Sequence, residues 1–157
     1  MKNILKSALF TLLVPGTVMF LAPCWIAQAC GGVFSLEDWR FLGFLPLSVG
    51  LAFLLVSVWH FAVTGKGTPA PIDPPKKFVA KGFYRTVRNP MYVGGLLILG
   101  GEADLFHSWA VVLYALAVFS ATHLFVVFYE EPVLKKKFGA SYKSYCKKVP
   151  RWIPRFN

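Results

Sequence analysis

Two adjacent carboxylates, Glu130 and Glu131, follow an apolar run ending at Tyr129 and precede Pro132 and Lys135, Lys136 and Lys137. Acids at the C-terminal end of a helix oppose its macrodipole, so the pair is out of place unless a cation meets it. Glu131 has a local answer, because Lys135 lies four residues on in the favourable order. Glu130 has none. Pro132 removes an amide and crowds the carbonyl of Phe128, so the helix is expected to kink or end there, leaving backbone acceptors beside the acids. Such a place suits a cationic ligand that carries hydroxyls. His123 lies seven residues before Glu130 and shares its helical face. His60 stands at similar depth in another apolar run. Polar groups inside a membrane are functional suspects, and a haem held between the two histidines is the specific alternative to simple bonds with neighbouring helices.

A second group lies in "YRTVRNPMYVGG", which holds Arg85, Arg88, Asn89 and Tyr92. Asn89-Pro90 reads as an N-cap followed by the first residue of a helix, and that helix end favours an anion. One rim therefore offers an anion-binding end and a pair of acids, which a zwitterion can bridge. A third group is the tail from Lys135, where Phe138, Tyr142, Tyr145 and Trp152 alternate with basic residues. It reads as a surface helix that snorkels its lysines and anchors with aromatics, or as a lid over the rim. Cysteine spacing suggests neither zinc nor an iron–sulfur cluster. Cys24 and Cys30 are placed to pair in an oxidising compartment, and Cys146 stands apart.

The elements that hold these groups are apolar. The 157 residues are 56% hydrophobic and 15% charged, against about 25% charged in soluble domains. The apolar blocks run Leu5–Ala29, Phe41–Thr64, Met91–Gly101 with a weak extension to Phe106, and Trp109–Tyr129. A spanning helix needs about 20 apolar residues; the third block is short, and charge decides it. Four spans put sixteen of the seventeen Lys and Arg on one side, all but Arg40, and that side is cytoplasmic. Glu37, Asp38, Glu102 and Asp104 then fall outside. The expected fold is an all-α integral membrane protein with four transmembrane helices and both termini cytoplasmic. Residues 1–64 form a first transmembrane hairpin, 65–89 a cytoplasmic loop with an interfacial segment, and 90–157 a second hairpin with its tail. Met1–Ala29 also has the layout of a secretory signal, but its apolar region is long for one. The net charge of +10 faces anionic lipid of the inner leaflet. Nucleic acid is excluded as a partner, since no basic stretch stands apart from a membrane segment.

Pro15-Gly16 and Pro46 are expected to kink the first and second helices. Ser35–Asp38 resembles a capping box, and Gly65 suits a helix C-terminus. Gly94 and Gly101 share a face of the third helix, for close helix packing or for a ligand; spacing favours packing. Trp39, Trp59, Trp109 and Trp152 fall near membrane boundaries, as an aromatic belt does.

Arg88-Asn-Pro-Met-Tyr-Val-Gly94 resembles the R-[HN]-P-x-Y-x-G element of small integral-membrane methyltransferases. Glu130-Glu131, then Phe138-Gly139, Tyr142, Tyr145 and Val149-Pro150, resemble their second block with its spacing kept. The family includes isoprenylcysteine carboxyl methyltransferases and phospholipid N-methyltransferases. The match covers about Gly82 to Phe156. The resemblance implies S-adenosylmethionine as cofactor, in a site facing the cytoplasm. Glu130 and Glu131 would take its ammonium or hydroxyls. Asn89, Tyr92 and the helix N-terminus would take its carboxylate or adenine edge, and Gly94 would allow close approach. Arg88, Pro90, His123, Tyr142 and Tyr145 complete the expected cofactor-binding set. Arg151 and Glu130 are expected at the reaction itself, Arg151 orienting an acceptor carboxylate or phosphate, and no metal is needed. Asn89 stands where isoprenylcysteine enzymes usually have His, and Lys148 where they have Arg, so the lipophilic acceptor is left open among carboxylate, thiol and phospholipid amine. The rival readings are a non-catalytic scaffold of the same fold and an NADPH-dependent membrane reductase.

Overall fold

A computed structural model describes residues 9, 13–34, 38–60, 63 and 80–155. The capping box at Ser35–Asp38, Gly65 and most of the interfacial segment therefore fall wholly or largely outside the described residues. Among the described residues the secondary structure is helical, with no strand.

Helix α1 covers Leu13–Ala29. Immediately after Pro15-Gly16 it winds as a π-helix over Thr17–Leu21, an irregularity that often marks helices next to a proline. Helix α2 covers Phe44–His60 and is led in by a 3-10 turn at Asp38–Gly43. Pro46 falls in the first turn of α2, at this 3-10 to α junction, where a missing amide costs least. Helix α3 covers Pro90–Leu105, α4 Trp109–Phe125 and α5 Glu131–Lys148, the last two joined by a π-turn at Val126–Glu130.

Two helices, Trp39–His60 and Trp109–Lys148, are long and apolar enough to cross a membrane, and α1 is apolar but shorter. The 40-residue stretch from Trp109 breaks from helical geometry at Gly139; the continuous part before that break is about 45 Å long, longer than the hydrocarbon thickness of about 30 Å, so its basic end extends beyond the lipid. On α4, Trp109, Leu113, Leu116, Leu124 and, just past it, Phe128 point away from the protein. Trp25, Trp39 and Trp59 are also exposed. Water would penalise such a surface and lipid would not.

Helix α3 is the hub. Its small residues let neighbouring backbones come close. A Cβ added to Gly94 would lie 2.6 Å from the carbonyl oxygen of Gly50 in α2, and one added to Gly101 would lie 2.9 Å from Leu47 Cβ. Gly95 faces Met19 of α1. Ala103 packs with Ala27 of α1 and Val111 of α4. Ile98 and Leu99 lose all exposure among these helices. The shared face of Gly94 and Gly101 is thus a helix-packing face.

The expectation that the helix stops at Pro132 is corrected. Residues 131–148 continue the helix, and the preceding π-turn accommodates the proline. The chain departs from helical geometry instead at Gly139, whose φ of 53° and ψ of −123° suit a residue without Cβ. Cys24, Cys30 and Cys146 are free thiols.

Candidate functional site

The start of α3 is where two distant stretches meet. Asn89 occupies the N-cap position and Pro90 the first helical position, and the Asn89 carbonyl accepts the first helical bond from the Val93 amide at 3.0 Å. The Asn89 side chain makes no cap bond. Its Nδ2 donates instead to the carbonyl of Arg151, at 3.1 Å. The expected cap is thus replaced by a tie to the tail.

That tie is one of several. Past α5 the chain turns back as a strap along 84–89. The amide of Arg88 donates to the Pro150 carbonyl at 2.9 Å, and the amide of Arg155 to the Thr86 carbonyl at 2.9 Å. The Tyr145 hydroxyl donates to the Tyr84 carbonyl at 2.6 Å. Val149 is buried beneath. The Trp152 indole Nε1 donates to Nδ1 of His123 at 3.0 Å.

The two acids part company here. Glu131, with 5% of its side chain exposed, is held by three cations. Arg151 makes a fork, Nε to Oε1 at 2.7 Å and Nη2 to Oε2 at 3.2 Å. Arg88 Nη1 adds a bond to Oε1 at 2.9 Å and also reaches Cys146 Sγ at 3.1 Å. Lys135 stands at 3.5 Å, as the local spacing foretold. Burial pushes the Glu131 carboxyl up, but the Arg151 hydrogen bond and the charges of Arg88, Arg151 and Lys135 outweigh it and hold it below its ordinary value. Forked, charge-assisted bonds of this kind are the strong ones.

Glu130, the first residue past the apolar stretch, is half-buried and accepts one bond, from the Tyr92 hydroxyl to Oε2 at 3.3 Å. Burial pushes its carboxyl up; the Tyr92 bond pulls it down and Glu131 adds to the rise. So one acid is neutralised within the protein and the other is kept short of positive charge. The second is where an added cation would gain most.

Around this pair stand the remaining expected residues. Tyr142 is buried, with Glu131 and Cys146 among the groups that raise its phenol after burial itself. Gly94 is turned toward Gly50 of α2. His123 has its Nδ1 occupied by Trp152. His60, the last residue of α2, sits against Gly82. Among the described residues no group of three or more His, Cys, Asp or Glu gathers as a metal site. One buried donor of the site lacks an acceptor: Nε of Arg88.

Cys146 is a contact that the sequence did not assign, and Trp152 was read only in general terms, as part of an aromatic tail anchoring or covering the rim. Trp152 was expected at a membrane boundary, yet it packs on Tyr92, Phe119 and His123 with ring centroids 6.4, 5.3 and 5.9 Å away. Its position directly after Val149-Pro150-Arg151 was the available signal.

The profile of the phospholipid methyltransferase family matches residues 39–141. The chain belongs to this family. It is also 33% identical over 84 residues to Protein-S-isoprenylcysteine O-methyltransferase B of Arabidopsis thaliana, a match covering 52% of this chain and 41% of that protein. The matched segment thus spans about two-fifths of that relative's length. The family match covers the Asn89-Pro90 turn and the acid pair, and stops before the strap.

Proposed function

We propose that this phospholipid methyltransferase family member is a membrane methyltransferase that uses S-adenosylmethionine to methylate a lipophilic acceptor. The observation that carries the reading is the pairing of Glu130 with Tyr92 beside the Arg88–Glu131–Arg151 cluster. The residues present fit such a cofactor. Among the described residues Glu130, a half-buried carboxylate, meets no cation, which suits it to an ammonium or to ribose hydroxyls. Arg88 Nε is a buried donor without an acceptor, suited to a carboxylate at the N-terminal end of α3. Asn89, Pro90 and Tyr92 would line the same end, and Tyr142 and Tyr145 the wall opposite. Glu131 is assigned to holding Arg88 and Arg151 in place.

When bound, the cofactor supplies an electrophilic methyl group on a sulfonium that leaves as a neutral thioether. The protein's part is to position and to exclude water. Arg151 keeps a third of its side chain exposed while forked to Glu131, and its free edge would orient an anionic group of the acceptor. The acceptor class follows the relatives only in outline: a thioether-linked carboxylate, a thiol or a phospholipid amine.

We further place the chain as a four-span protein with both termini and the site cytoplasmic. Sixteen basic residues on one side support this. Calorimetric titration of the purified chain with S-adenosylhomocysteine tests the function. Glu130→Gln is expected to weaken binding by about tenfold, the loss of one charge-assisted contact, and Lys136→Gln to leave it unchanged. Equal effects, or binding of NADPH in place of the methyl-donor product, would refute the reading.

A further inference from the structure

The strap has one tie unlike the others. The bonds from Arg88, Asn89, Arg155 and Tyr145 lie within a layer formed by 84–89 and 145–155. The Trp152 bond reaches His123 instead, seven residues before Glu130 and so about 10 Å further along the helix into the apolar stretch. The Trp152 ring there contacts α3 through Tyr92 and α4 through Phe119, edge-on, and His123. A tail side chain thus occupies the space that these two helices share at the end where Tyr92 meets Glu130.

The bond also defines the histidine. An indole N–H only donates, so Nδ1 must be a bare acceptor and Nε2 must carry the proton of the neutral ring. Phe119 flanks the same imidazole, with centroids 5.8 Å apart. The indole is therefore held both by a directed bond and by ring contacts.

We propose that Trp152 is the acceptor-selecting residue of this chain. Latched by His123, its indole fills the passage between α3 and α4 by which a lipophilic acceptor reaches the Tyr92–Glu130 pair from the bilayer, and so limits the bulk of the apolar chain admitted. This rests on the methyltransferase reading above. His123 is then a positioning residue that acts through Trp152.

The test uses the full chain in lipid nanodiscs with 15N-labelled tryptophan. The Trp152 indole signal is the one lost in Trp152→Phe. It is expected at a hydrogen-bonded position, to move to an unbonded one in His123→Leu, and to return in His123→Asn, whose Oδ1 stands where Nδ1 does. Turnover is then measured with S-adenosylmethionine and three acceptor series of increasing chain bulk: N-acetyl-S-alkylcysteines, alkanethiols and phosphatidylethanolamines. In His123→Leu and Trp152→Ala, kcat/KM for the bulkiest accepted members is expected to rise about tenfold relative to the smallest, with the original ranking restored in His123→Asn. An unmoved indole signal in His123→Leu, or equal losses for every acceptor, would overturn the selection role while leaving methyl transfer intact. No transfer to any of the three series from a chain whose indole responds as expected would instead sink the methyltransferase reading and the selection role with it.

Discussion

Glu130 and Glu131 are neighbours in sequence and opposites in environment. Glu131 lies under two arginines and a lysine; Glu130 has a phenol. Removing one member of a buried ion cluster leaves the others uncompensated, which costs about 3–5 kcal/mol. Glu131→Ala is therefore expected to lower stability by about that amount in thermal unfolding in detergent. Lys135→Ala should cost under about 1 kcal/mol, since that lysine is half-exposed. The pH dependence has a definite sign. The folded-state pKa of Glu131 is depressed, so its contribution is fully present above an ordinary glutamate pKa of about 4.3 and is lost as pH falls through the depressed value. In Glu131→Gln that acid-side loss should disappear. Much of this arrangement was hidden from sequence reading. The Glu131–Lys135 pair follows a helical spacing and was legible. Arg151 lies 20 residues away and Arg88 43, and no local periodicity links such positions.

The elements divide in the same way. Helix starts and apolar runs depend on local chemistry, so the beginning of α3 at Asn89-Pro90 and the apolar stretch after Trp109 could be read directly. The fate of Pro132 could not. Whether a proline ends a helix depends on how the surrounding turns adjust, and here a π-turn precedes it and distant side chains, Arg88 and Arg151, hold the neighbouring Glu131. The glycines of α3 were ambiguous by spacing, and contact with α2 explains two of them. Gly94→Val is accordingly expected to destabilise the α2–α3 pair by about 1–3 kcal/mol, the usual cost of forcing atoms into a filled space. Gly100→Ala meets nothing within 4 Å and should be neutral or slightly stabilising through helix propensity. Chemical denaturation of both variants in the same detergent checks the contrast, and equal losses would contradict the packing.

At the scale of the whole molecule, charge and hydropathy carry the most. The composition pointed to lipid, and the outward apolar faces of α2 and α4 agree with it. The four-span arrangement makes a sided prediction that uses residues already exposed. Cys30 lies just past α1 and Lys147 near the end of α5. A membrane-impermeant maleimide should label Cys30 from outside intact cells, and a cysteine at Lys147→Cys only after permeabilisation. Labelling of both from one side would contradict the proposed topology. In the enzyme proposed above, acceptor choice would be set by how the strap and helices meet beside Glu130 rather than by the motifs themselves.

The reading stands or falls on whether the Asn89-Pro90 turn and Glu130 hold one molecule of the methyl donor, with Glu131 and the strap keeping Arg88 and Arg151 in place beside it. Ultraviolet crosslinking of radiolabelled S-adenosylmethionine to the membrane-embedded chain, followed by peptide mapping, tests it directly. The expected result is label on peptides carrying residues 88–92 and 130–152, competed away by S-adenosylhomocysteine. Label confined to other parts of the chain, or none that competes, would contradict it.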